Sequence, residues 1–225
     1  MSDVPDLAVR RHPPIRDQIA TTLRNAIINQ DFAPGQVLVE RELCERTGAS
    51  RPSVREALRQ LETEGLVESR NGRGTVVRVL TAQETENVYE VRADLEGLAA
   101  RLFCERAIES EREALQDAVR RLDDATHGGL GRNSEILAAQ RAFYAVLFAG
   151  TRNPVLEQLV QGLMSRVAQL RATTLSAPGR AEQSLAEFHE IAAAIDARDA
   201  ARAGALAAEH VERAAAAMRT VRPAE

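Results

Sequence analysis

Between Ser50 and Leu80 the spacing of apolar residues changes once, and this restricts the fold more than any other feature of the chain. Val54, Ala57, Leu58 and Leu61 recur at three and four residues, the period of an amphipathic helix. After Gly65 the pattern alternates from Leu66 to Leu80, broken by Asn71-Gly72. Asn-Gly between alternating runs is the strongest short signal for a β-hairpin. From Thr81 onward strand signals vanish. The chain must therefore be mainly α, with its β-structure confined to one place near the N-terminal third.

Upstream of the hairpin the spacing predicts three helices. Ile15, Ile19, Leu23 and Ile27 recur every four residues after Pro13-Pro14, and the turn residues of Asp31–Gly35 end that stripe. A short helix from about Glu40 to Thr47 presents Leu43 and Cys44 and is broken by Gly48. Ser50 is a good N-cap for the third, and Pro52 is tolerated in its first turn, where amides need no intrahelical acceptor. Two short helices joined by a glycine turn, then a hairpin, outline a winged helix-turn-helix: three helices plus a β-hairpin wing over residues 1–80. Residues 81–225 are expected to form an all-α antiparallel bundle of six or seven helices, at about 82–107, 110–125, 134–150, 153–174, 181–197 and 199–219. The breaks are 126–131, 150–153, 176–179 and Arg198, with Asn153-Pro154 reading as an N-cap and first helical residue. The alanines of 192–217 suggest close helix packing.

Composition narrows the function. The 225 residues suffice for two domains, and 44% apolar content supports real cores. No apolar run approaches the ~20 residues that span a bilayer, and Met1–Arg11 has no signal core, so a soluble cytoplasmic protein with no membrane partner is expected. Cys44 and Cys104 stand alone in helical patterns and read as buried thiols. Net charge is −4, but residues 1–80 hold 12 Arg against 11 Asp and Glu, leaving the acidic excess to the remainder. All 29 basic residues are arginine, from which no function follows. No nucleophile elbow, phosphate-binding loop or zinc-protease motif occurs, and His12, His127, His189 and His210 are scattered, which argues against an enzyme. No cofactor is expected.

The third helix carries the functional signal. At 100° per residue Arg51, Arg55 and Arg59 fall within about 80° of one another over roughly 12 Å, beside the apolar sector. Three arginines on one exposed stripe can reach phosphates and guanine edges together. Arg41 on the second helix and Arg70, Arg73 and Arg78 on the wing extend the basic surface, and Asn71-Gly72 makes a tip slim enough for a minor groove. Glu40, Glu42, Glu62 and Glu64 are expected to point away from DNA.

The stretch Glu40–Leu66, with Arg-Glu-Leu-Cys-Glu-Arg-Thr-Gly-Ala-Ser-Arg-Pro-Ser-Val-Arg-Glu-Ala-Leu-Arg-Gln-Leu-Glu within it, closely resembles the GntR family of bacterial transcription regulators. The second part resembles the FCD ligand-binding domain of the FadR subgroup, through Glu90-Val-Arg92, Leu95-Glu96, Asn153, Ala194-Ile-Asp196 and Asp199. The resemblance implies a homodimer on a pseudo-palindromic double-stranded operator, acting as a repressor, with Arg41, Ser50, Arg51, Ser53, Arg55 and the wing tip at the DNA. It also implies a small-molecule effector. Many such domains hold a divalent metal through one Asp and three His. Alignment puts Gln140, Tyr144, Phe188 and His210 at those positions, with His189 one residue, hence about 100°, off. Gln and Tyr are poor ligands for zinc-type ions and Phe is none, so no metal is expected. Gln140, Tyr144 and His210 are expected to hydrogen-bond a small organic effector, with Arg92 offering charge to an anionic group. The alternative is that Tyr144, Phe148 and Phe188 fill a closed core, leaving a constitutive DNA-binding protein whose C-terminal domain only dimerises.

Overall fold

The computed structural model describes residues 14–128 and 133–221. His12 and Pro13, and part of the break expected over 126–131, lie outside them. The N-terminal part runs α1 (Ile15–Ile28), β1 (Val37–Leu38), α2 (Glu40–Thr47), α3 (Arg51–Thr63), β2 (Val67–Arg70) and β3 (Gly74–Val77). Its core joins Ile19, Leu23 and Ile27 of α1 to Leu43, Val54, Leu58 and Leu61 of the helix-turn-helix and to Val67 and Val77 of the wing. The apolar period of three and four residues in α1 and α3 is thus satisfied by mutual burial. Gly48, left-handed at φ 66°, ends α2 and turns the chain into α3.

The wing differs from expectation in having three antiparallel strands in the order β1-β3-β2. Val37 pairs with Val76 and Leu38 with Thr75, so a two-residue strand closes the outer edge of the hairpin. Arg70 pairs with Gly74, which leaves Asn71, Gly72 and Arg73 as the tip; Gly72 and Gly74 take φ of 77° and 79°.

Six helices follow: α4 (Ala82–Arg106), α5 (Glu109–His127), α6 (Asn133–Gly150), α7 (Pro154–Thr174), α8 (Arg180–Asp196) and α9 (Ala200–Val221). Thr81 and Glu84 form a reciprocal capping box at the start of α4, with bonds of 3.1 and 2.9 Å. Asn153 caps α7 through Leu156 N–H at 3.2 Å, with Pro154 as the first helical residue. The tightest packing is between α4 and α9: a Cβ on Gly97 would lie 3.0 Å from the Gly204 carbonyl oxygen, and a Cβ on Gly204 the same distance from Gly97 O. Only residues without side chains let two backbones approach so closely. Cys104 is buried in this bundle while Cys44 is half-buried. No helix of the described residues is long and apolar enough to cross a membrane.

α7 touches both parts. Val167 and Leu170 pack with Leu80, Val88, Tyr89 and Val211, and Gln169 Nε2 donates to the Arg78 carbonyl at 3.2 Å. Arg166 lies over the turn that closes α3, where a Cβ on Gly65 would meet its Nε at 2.5 Å.

Candidate nucleic-acid interface and a buried arginine cavity

α3 has two faces, as its periodicity requires. Val54, Ala57, Leu58 and Leu61 are at most 4% exposed, while Arg51, Arg55 and Arg59 lie in solvent. Ser50 caps the helix, accepting from Ser53 N–H at 3.4 Å, and the two hydroxyls lie 3.0 Å apart. Arg24 on α1 grips Glu64 at the end of α3 with bonds of 2.7 and 2.6 Å, which fixes the helix against its scaffold. Arg41 is exposed in the first turn of α2, and Asn71, Gly72 and Arg73 are exposed at the wing tip. Between α3 and the wing runs a groove of about 320 Å³ lined by Arg55, Arg59, Glu40, Glu62 and Ser69, among others.

Several acidic and basic side chains are not where the sequence suggests. Glu40 faces Arg55, with both carboxylate oxygens 2.9 Å from its Nε, and this contact holds the guanidinium above its ordinary value. Glu62 accepts from Ser69 N–H at 3.1 Å and ties α3 to the wing. Arg78 donates to Glu84 of α4 at 2.5 Å and belongs to the junction rather than the wing surface. Arg70 is held by Glu68 at 2.6 Å. Arg41, Arg51, Arg59 and Arg73 are exposed and take no part in the ion pairs found among the described residues.

The second site is buried. Arg92, Gln140, Arg171, Arg180, Ser184 and His210, from α4, α6, α7, α8 and α9, line a cavity of about 20 Å³. Glu96 accepts from Arg92 Nε at 3.0 Å and from Arg171 Nη2 at 2.9 Å. Glu187 accepts from Arg180 Nη2 at 2.7 Å and from His210 Nδ1 at 2.5 Å. Burial alone would raise both carboxyls, but the facing guanidiniums, and for Glu187 first the hydrogen bond from His210, outweigh it and hold each below the usual carboxylate range. Burial likewise pushes the His210 imidazole below its ordinary value, and Glu187 only partly opposes this. A neutral imidazole bonded to a carboxylate must donate, so its proton sits on Nδ1.

Gln140 and His210 thus meet Arg92 at one cavity. Tyr144 does not reach the wall: its ring lies under Arg171, 3.6 Å from the guanidinium carbon, and burial with the adjacent Glu96 raises its phenol well above the ordinary value. Phe143, Tyr144, Phe148 and Phe188 pack as one aromatic cluster, with Phe143 and Phe188 centroids 4.6 Å apart. His189 is turned outward, 2.9 Å from Asp123, as a one-residue offset requires. His127 reaches the same carboxylate at 3.0 Å, so two of the scattered histidines share one surface aspartate. The donor set does not fit a divalent ion. Gln140 Nε2 faces Ser184 Oγ at 3.4 Å, Phe188 offers nothing, His210 is committed to Glu187, and three guanidiniums repel a cation.

Arg171 and Arg180 are absent from the residues read from sequence. The partner of Arg171 lies 75 positions away on α4, beyond any local pattern, whereas Glu187 lies two turns beyond Arg180 on α8, a spacing the sequence did offer. The usable signal was Arg92 and Glu96, one helical turn apart beside Tyr89, Ala99 and Ala100 on a buried stripe.

Residues 15–77 match the family described as bacterial regulatory proteins of the gntR family, and residues 87–213 match the FCD domain. The chain is 29% identical to the HTH-type transcriptional regulator YdhC of Bacillus subtilis, over 83% of each protein. It is 30% identical to the HTH-type transcriptional repressor GlaR of Escherichia coli K12, over 84% of this chain and 89% of GlaR. Its fold matches the solved structure of E. coli McbR/YncC with a TM-score of 0.81 at 21% identity, covering 93% of this chain and 99% of that one. The exposed arginine helix, the wing behind it and the helical bundle are therefore those of a GntR-family transcription regulator with an FCD domain, and this chain belongs to that family.

Proposed function

We propose that the chain acts in the cytoplasm as a homodimeric repressor whose operator affinity is set by a small organic anion. In this reading residues 1–80 hold the double-stranded operator. Arg51, Arg55 and Arg59 enter the major groove, Arg41, Ser50 and Ser53 contact phosphates, and Asn71, Gly72 and Arg73 lie against the minor groove. Residues 81–225 dimerise and hold the effector through Arg92, Gln140 and His210, while Tyr144 supports Arg171 and Glu96 from behind.

The observation that carries the sensing half is the position of α7. It sends Arg171 to the cavity wall and, two residues earlier, Gln169 to the Arg78 carbonyl at the junction with the wing, so one stretch of helix carries both contacts. Arg180, which lines the cavity, also lines a surface groove of about 660 Å³ between α8 and α9, so one side chain separates the cavity from the surface there. The repressor named among the relatives supports the direction of control. A second reading, constitutive binding with a C-terminal part that only dimerises, is favoured by the cavity's size of about 20 Å³.

Operator titrations with a panel of small carboxylates and acyl thioesters separate the two. The proposal expects one compound to change operator affinity at least tenfold and to raise the melting temperature as its excess grows. A chain whose operator affinity and melting temperature ignore the whole panel is the constitutive protein.

A further inference from the structure

The charge around the buried cavity does not balance. Arg92, Arg171 and Arg180 are 2%, 7% and 3% exposed, and the carboxylates that face them are Glu96 and Glu187. Three guanidiniums against two carboxylates leave one positive charge in a low-dielectric interior. Arg213, 46% exposed, adds a cation near Glu187 Oε1 at 3.6 Å. The donors do not balance either. Arg92 Nη1 and Nη2, Arg171 Nε and Nη1, and Arg180 Nη1 are buried with no hydrogen-bond partner. A buried charge or donor without a partner is expensive, and an arginine cannot relieve the cost by giving up its proton. Stacking on Tyr89 and Tyr144 lowers the cost for Arg92 and Arg171 but supplies no acceptor. Meanwhile a cavity of about 20 Å³ lies at these groups, room for one small polar group.

We infer that Arg92, Arg171 and Arg180 form a built site for one small monoanion, held by guanidinium donors alone. Its simplest occupant is a halide, and its alternative occupant is the single carboxylate head of an organic effector. A monoanion makes the interior neutral and gives the stranded N–H groups an acceptor. A dianion such as sulfate would leave the interior negative. Gln140 Oε1, also without a partner, favours an organic occupant that carries a hydrogen-bond donor beside its carboxylate. The inference deepens the effector reading, since the same cavity serves both.

Bromide is the direct probe because its anomalous scattering locates it. Crystals of the full chain grown with sodium bromide should show one bromide among the guanidinium groups of Arg92, Arg171 and Arg180. In solution, bromide, chloride, formate and acetate should each raise the melting temperature in proportion to the logarithm of concentration above saturation. Sodium sulfate at equal ionic strength should not give this site-dependent rise. Arg171→Gln should abolish the bromide response, and the anomalous map on unaltered protein decides the matter if that variant does not fold. Saturating bromide with no anomalous peak in the cavity, together with no Arg171-dependent stabilisation by formate or acetate, overturns the proposal. If formate and acetate stabilise but bromide does not enter, the site is a carboxylate site and the halide occupant is wrong. Bromide binding without a response to any organic acid keeps the site and removes the effector reading. An organic acid that releases operator while neither bromide nor small carboxylates bind does the reverse.

Discussion

Arg55 sits at the centre of the exposed stripe and is the residue whose loss should be felt most. Arg55→Ala should weaken specific operator binding roughly five- to 150-fold in fluorescence anisotropy, the range for a bidentate guanine contact. Arg55→Lys should recover little, because an ammonium cannot reproduce the planar fork. A second residue-scale prediction concerns acid. His210 titrates lower in the fold than the ~6.5 of the free side chain, so the unfolded chain takes up its proton first. Its contribution is therefore whole above about pH 6.5 and declines as pH falls toward the lowered folded value. Glu96 and Glu187, also lowered, hold their contribution above about pH 4.5 and lose it below. Urea midpoints should fall between pH 7.5 and 5.5 in the wild type, and His210→Gln should flatten that interval. A midpoint insensitive to pH in this range contradicts the burial of a neutral imidazole. At this scale legibility followed locality. The exposed and buried residues of α3 were readable because one helix period separates them. Glu40 on Arg55, Arg78 on Glu84 and Arg171 on Glu96 were not, because a long charged side chain chooses its partner in three dimensions.

Among elements, α4 and α9 set the bundle. Their backbones meet at Gly97 and Gly204, and Gly97→Val should cost about 1–3 kcal/mol in chemical denaturation, since the neighbour in the way is a carbonyl rather than a movable side chain. An unchanged denaturation midpoint would mean the helices can separate freely. The alanines of 192–217 announced this packing, although the partner helix was not readable from them. β1 was missed for the opposite reason: two residues make no alternation, and the pairing partners Val76 and Thr75 lie far along the chain. α7 is the element on which regulation depends in this account. Gln169→Leu removes its bond to the Arg78 carbonyl without touching the cavity wall. The effector should still stabilise that variant against heat, while its effect on operator affinity should shrink. Full retention of the effect would show that α7 does not carry the coupling.

For the molecule as a whole, the proposed reading gives one α3 and one wing a half-site only, and so calls for two copies related by a two-fold axis. Sedimentation of the full chain should give a dimer at micromolar concentration, with and without DNA, and a monomer under both conditions would rule out the proposed assembly. The strand signals end near Thr81, and the matches to residues 15–77 and 87–213 fall on either side of it. The cavity was less readable because it is assembled from five helices, each contributing one or two residues. The most direct test of the account is hydroxyl-radical footprinting on the native operator at physiological salt, comparing the full chain with its Arg51→Ala/Arg55→Ala variant. The account predicts two protected blocks with centres about one helical turn apart, both lost in the variant at concentrations that saturate the wild type. Equal protection by the double variant would contradict recognition through α3.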